Sequence, residues 1–165
     1  MTWADLLQKI YDSPVGTAVR ESGTLFPWIE SLHVLMITTV VGTIAIVDLR
    51  LIGYGAHRRS ARQLTADLLP FTWVAFALAV VTGVLLFASN AVNYWANGPF
   101  RFKLIALALA GLNMAVFHLT TERKIVEWED ALPPPPAARI AGATSLGLWI
   151  LMVFLGRWIG FTISS

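Results

Sequence analysis

The sequence predicts an all-α protein: a four-helix transmembrane bundle preceded by a short amphipathic surface helix. Three observations carry this reading. Of 165 residues, 56% are apolar and only 13% charged, too little charge to cover the surface of a soluble domain. Four apolar stretches approach the roughly 20 helical residues needed to cross a ~30 Å hydrocarbon core. Lipid offers backbone amides no partner, so such stretches must be helical.

The elements follow in order. Residues 1–25 carry Asp5, Lys9, Asp12, Arg20 and Glu21 without an apolar run, which excludes a signal peptide. Trp3, Leu6, Leu7, Ile10 and Tyr11 share one helical face, the pattern of an amphipathic helix on a membrane surface, and Pro14 ends it. Residues 26–165 form the transmembrane domain. The first span, about 26–51, is interrupted by Glu30, His33, Asp48 and Arg50. The second, about 69–88, has no charge. The third, about 104–121, carries Asn113 and His118, and the fourth, about 140–163, is uncharged until Arg157. The four prolines at 133–136 read as a stiff turn before the last helix. No repeat or second domain is visible.

Basic residues in short loops set the orientation. Arg50, Arg58, Arg59, Arg62, Arg123, Lys124 and Arg139 face one side; Lys9, Arg20, Arg101, Lys103 and Arg157 face the other. The bias places both termini in the periplasm and the two basic loops in the cytoplasm. With no cysteine in the chain, thiolate metal sites, iron–sulfur clusters and disulfides are excluded. A net charge of +2, spread over short loops, argues against nucleic acid as a partner.

Function is expected among the polar residues within the spans, because ionisable groups there are costly and normally face the bundle interior. Glu30 and His33 lie three residues apart on one helix face. With Lys103, which opens the third span, they form a candidate cluster near the periplasmic surface. Asp48, Arg50, Asn113 and His118 form a second polar cluster near the cytoplasmic surface. His33–Asp48 and Lys103–His118 have the same spacing, close to a whole number of helical turns, so each helix keeps one polar stripe. Snorkelling at the interface accounts for Asp48, Arg50 and Lys103 as well as function does. The Gly156–Gly160 pair reads as close helix packing.

Imidazole in a helical bundle is the usual axial ligand of haem iron. His33 is the candidate iron ligand, either alone in a five-coordinate site or with Lys103 or Met152 as second ligand; His118, near the opposite surface, cannot reach the same haem. A carboxylate at Glu30 is placed to hold the second ring nitrogen of His33, or to pair with Arg20 or Lys103. A proton relay through Glu30, His33, Asp48 and His118 is the other chemistry these residues allow.

The chain resembles an uncharacterised family of bacterial four-span membrane proteins in Arg20-Glu21-Ser22, Pro27, Glu30, His33, Asp48-Leu49-Arg50-Leu51-Ile52-Gly53, Pro70, Thr82-Gly83, Phe87, Asn97, Phe100, Lys103, Asn113 and His118. More distantly its layout is similar to HemJ-type protoporphyrinogen oxidases and CopD-type copper-resistance membrane proteins. The HemJ-type pattern is met by His33, by Leu49-Arg50-Leu51 with Tyr54 and His57, by Gly83, and by Lys103 and His118 at the two ends of the third span. The tetraproline run and Asp48 depart from it. The resemblance implies a b-type haem at His33 in a bacterial inner-membrane protein. The expected role is electron transfer, or membrane subunit of a complex linking a periplasmic redox partner to the quinone pool. The alternative is a non-redox role, as a CopD-like copper-handling permease or a structural subunit. Association into a homo-oligomer or larger complex fits either.

Overall fold

A computed structural model describes residues 2–54, 61–120 and 134–163. His57, Arg58, Arg59, Arg123 and Lys124 lie outside the described residues. The helices are α1 (Trp3–Tyr11), α2 (Pro14–Glu21), α3 (Leu25–Ile52), α4 (Ala61–Ser89), α5 (Ala91–Ala96), α6 (Gly98–Thr120) and α7 (Pro136–Thr162). No strand occurs among the described residues. The expected all-α class holds, and α3, α4, α6 and α7 are each long and apolar enough to cross a membrane. The chain is an integral membrane protein. Side chains such as Leu35, Val84, Phe102, Leu112 and Phe154 point outward, where acyl chains replace water as their neighbours.

Three of the spanning helices outrun the apolar stretches that announce them. α4 starts ahead of residue 69 and contains Pro70; α6 starts at Gly98 rather than 104, and α7 at Pro136 rather than 140. Apolar composition marks only the part of a helix inside hydrocarbon, whereas hydrogen bonding continues into the headgroup zone. The Asn97 side chain accepts from the Phe100 amide at 3.0 Å and so covers the start of α6. Pro136 occupies the first turn of α7, where no amide is needed.

The N-terminal segment is two helices, where the sequence suggests one. Tyr11 ends α1, Ser13 caps the next helix through the Gly16 amide at 3.1 Å, and Pro14 begins it. α1 packs on α5, with Trp3 against Trp95 at 4.9 Å between ring centroids, and α2 packs along α4. Arg20 ties the turns together: its guanidinium donates to the Tyr11 and Ser89 carbonyls and lies 3.9 Å over the Tyr11 ring. This end of the bundle, with both termini, is called here the terminal end.

The spanning helices pack in the order α4, α3, α7, α6, and α4 and α6 do not close against each other as the other neighbours do. The core is a layer of Val40, Ala75, Ala106, Ala110, Trp149 and Met152. Its small residues let the backbones approach, which is how helices gain dispersion contacts where lipid removes the hydrophobic drive to associate.

Candidate functional site

Two polar sites flank the apolar layer, one toward each end. At the terminal end His33 projects from α3 toward α4. Its Nδ1 lies 2.9 Å from the Thr82 hydroxyl. That hydroxyl has one hydrogen, within reach of the carbonyls of Leu78 at 2.7 Å and Ala79 at 3.1 Å on its own helix. With that hydrogen on its own helix the hydroxyl accepts from Nδ1 and leaves the lone pair on Nε2; turned to His33 instead, it donates to Nδ1 and the proton sits on Nε2. A Cβ on Gly83 would stand 3.1 Å from Cε1 of the ring, so the absent side chain makes room for the imidazole edge on α4.

Lys103 enters this site from α6, within electrostatic reach of His33. Its Nζ lies 3.5 Å from where a Gly156 Cβ would stand on α7. All four spanning helices thus contribute to one level of the bundle. Glu30, a turn nearer the terminal end, is exposed and faces Tyr94 of α5. Burial, and then the Glu30 carboxylate, raise the Tyr94 pKa above the usual phenol value. Arg20 is engaged with Tyr11 and Ser89 instead. Met152 belongs to the apolar layer, one turn deeper on α7 than Gly156.

Phe87, Tyr94 and Phe100 roof the site. Phe87 stacks on Phe100 at 5.4 Å with an 11° interplanar angle, and Tyr94 lies 5.4 Å from Phe100. The triad joins α4, α5 and α6 at the terminal end, so the gap between α4 and α6 opens only further along the bundle.

The second site lies there. Asp48 is 4% exposed, and the Ser145 side chain of α7 lies beside its carboxyl group. Its Oδ2 has no hydrogen-bond partner among the described residues. Asn113 of α6 donates to the Ala141 carbonyl at 3.0 Å, fixing α6 to α7 at this depth. His118 places Nδ1 3.1 Å from the Met114 carbonyl of its own helix. Asp48, Asn113, His118 and Ser145 line one cavity, so three of the four residues expected in the cytoplasmic-side cluster converge. Arg50, the fourth, is 5% exposed and is not among the cavity's lining residues.

Sequence reasoning did not single out Thr82 or Ser145 as the partners of His33 and Asp48. The Thr82-Gly83 pair carried part of the family resemblance, and a hydroxyl beside a glycine in an uncharged span was the available signal. Ser145 had none, because a lone serine in an Ala/Gly-rich helix also reads as packing.

Residues 12–162 match the family described as "Family of unknown function (DUF6644)". The chain belongs to that family. No curated protein and no solved structure matches it.

Proposed function

For a member of a family to which no activity is attached, we propose a redox role in the membrane: a four-span protein that holds a b-type haem, or a related redox group, on His33. The observation that carries the reading is the Thr82 hydroxyl on Nδ1 of His33. Two carbonyls of α4 stand within hydrogen-bond distance of that hydroxyl, which favours its accepting from the ring. In that arrangement Nε2 is unprotonated, the form that ligates iron. Thr82 supplies the orientation for which Glu30 is the sequence candidate, and Glu30 stays at the rim beside Tyr94.

The donor set fits haem better than a bare ion. Among the described residues no three His, Cys, Asp or Glu side chains come together as a cation site, whereas a porphyrin brings four nitrogens and asks the protein for one or two ligands. Lys103, in reach of the same ring, is favoured over Met152 as the second ligand, since Met152 packs in the layer beneath. Bound there, the group would supply one-electron chemistry. The chain's residues would orient it (Thr82, Gly83), complete its ligation (Lys103) and shield it beneath the Phe87–Phe100 stack.

The role follows as electron transfer, alone or as the membrane subunit of a redox complex, in a bacterial inner membrane with periplasmic termini. The basic bias of the loops supports that orientation, and reporter fusions at positions 60 and 130 should both read cytoplasmic. Protein purified after haem-replete expression should show a Soret band with sharp reduced α/β bands. His33→Ala should insert and fold without haem, His57→Ala should keep it, and Thr82→Val should bind it more weakly with a shifted potential. A full Soret band in His33→Ala, or colourless wild type, would overturn the reading in favour of a structural or copper-handling role.

A further inference from the structure

A cavity of about 210 Å³ occupies the gap between α4 and α6, with α3 and α7 behind it. Its walls are apolar and aromatic, with Trp73 and Phe76 on one side, Phe117 on the other and Trp149 behind. At its rim Trp73, Gly111 and Met114 are exposed, on a face that other spanning helices do not cover. The cavity therefore opens sideways, toward the bilayer.

Its polar end is built for a donor. Asp48 is more than nine-tenths buried with Ser145 beside its carboxyl group, and Oδ2 has no hydrogen-bond partner among the described residues. A buried carboxylate oxygen left in this state is costly, so a group that brings a hydrogen to it is strongly favoured. Asn113, with an amide hydrogen used on Ala141, adds an acceptor oxygen to the same wall. An apolar cavity of about 150 Å³ takes a benzene ring. The volume here suits one substituted six-membered ring whose tail leaves between α4 and α6.

We infer that this cleft binds a membrane-dissolved phenol or hydroquinone, its ring among the aromatic walls and its hydroxyl donating to Oδ2 of Asp48. The oxidised, carbonyl-bearing form lacks the donor and binds less well. An acyl chain would fill the apolar walls but leave the carboxylate unserved. The inference stands on the cleft alone and does not require a haem at His33.

The test uses the full chain in lipid nanodiscs under reducing conditions, with a trifluoromethyl-hydroquinone carrying a decyl tail observed by ¹⁹F NMR. Wild type should give a saturable bound signal, and the dimethyl ether of the same probe should bind about tenfold more weakly or worse, having lost the donor that serves the buried Oδ2. Asp48→Asn should weaken the hydroquinone by about the same factor. Gly111→Phe should abolish binding while the fold persists, because a Cβ at Gly111 meets nothing within 4 Å. Equal binding of hydroquinone and ether, undiminished binding by Gly111→Phe, or no bound signal in wild type would each overturn the inference. The readout does not involve His33, so failure of the haem reading and failure of this one are distinguishable.

Discussion

Gly142 of α7 lies so close to Asp48 of α3 that a Cβ on it would stand 2.9 Å from the Asp48 carbonyl oxygen and 3.0 Å from Cβ of Leu51. This approach sets the distance between the two helices at the level where Ser145, three residues further along α7, meets the Asp48 carboxylate. Gly142→Ala should therefore destabilise the bundle by about 1–3 kcal/mol, the cost of overpacking against backbone that cannot rotate away. Gly147→Ala, where a Cβ meets nothing within 4 Å, should be neutral. Unfolding of the purified protein in mixed micelles compares the two, and equal effects would remove the contact's significance.

Thr43 and Thr72 join α3 to α4 through hydroxyls 2.8 Å apart. Each hydroxyl also faces carbonyls of its own helix, Thr39 and Val40 for Thr43 and Leu68 for Thr72, so the bond between helices competes with those within them. A Thr43→Val/Thr72→Val double-mutant cycle should give a coupling of about 0.6 kcal/mol, up to roughly 1.7, as measured for such bonds in membranes. A coupling of zero would mean that each hydroxyl serves only its own helix.

The docking of the N-terminal helices depends on Gly16. A Cβ there would stand 2.6 Å from the Ala88 carbonyl oxygen and 2.9 Å from that of Tyr11. Gly16→Ala should lift α2 from α4 and weaken the Arg20 bonds to Tyr11 and Ser89. Amide exchange over residues 3–21 should rise while that of α6 and α7 stays unchanged. Unchanged exchange over 3–21 would show that the contact relaxes without cost.

At the start of α1, Thr2 and Asp5 cap each other: the Thr2 amide donates to Asp5 Oδ2 at 2.7 Å, and the Asp5 amide to Thr2 Oγ1 at 3.2 Å. The hydrogen bonds from Thr2, backbone first, hold the Asp5 pKa below the usual carboxylate value. A depressed folded-state pKa contributes stability that is present above the unfolded value and lost as pH falls through the folded one. Acidification below about pH 4 should thus fray the first turn. The ¹⁹F signal of labelled Trp3, in contact with Trp95, should report it, and Asp5→Asn should remove the transition.

The sequence by itself determined the class, the number of spanning helices and which of their residues are polar. These depend on local quantities: a helix must satisfy its own backbone in lipid, and a run of about twenty apolar residues or an isolated His or Asp is visible in one dimension. It also placed Asp48, Asn113 and His118 toward the same end, because the first and third spans run in the same direction and residue counts along them translate into height.

Only the tertiary structure decided what meets what at each height. Thr82 rather than Glu30 holds His33 because α4 packs beside α3 and turns its hydroxyl inward, and helical spacing alone does not fix that rotation. Asp48 finds Ser145 because Gly142 lets α7 approach α3. The α4–α6 gap arises because four helices pack in a row with one seam left loose, and the Phe87–Phe100 stack closes that seam only at the terminal end. Such pairings depend on side-chain volume and axial rotation across helices distant in sequence, which the apolar pattern does not encode.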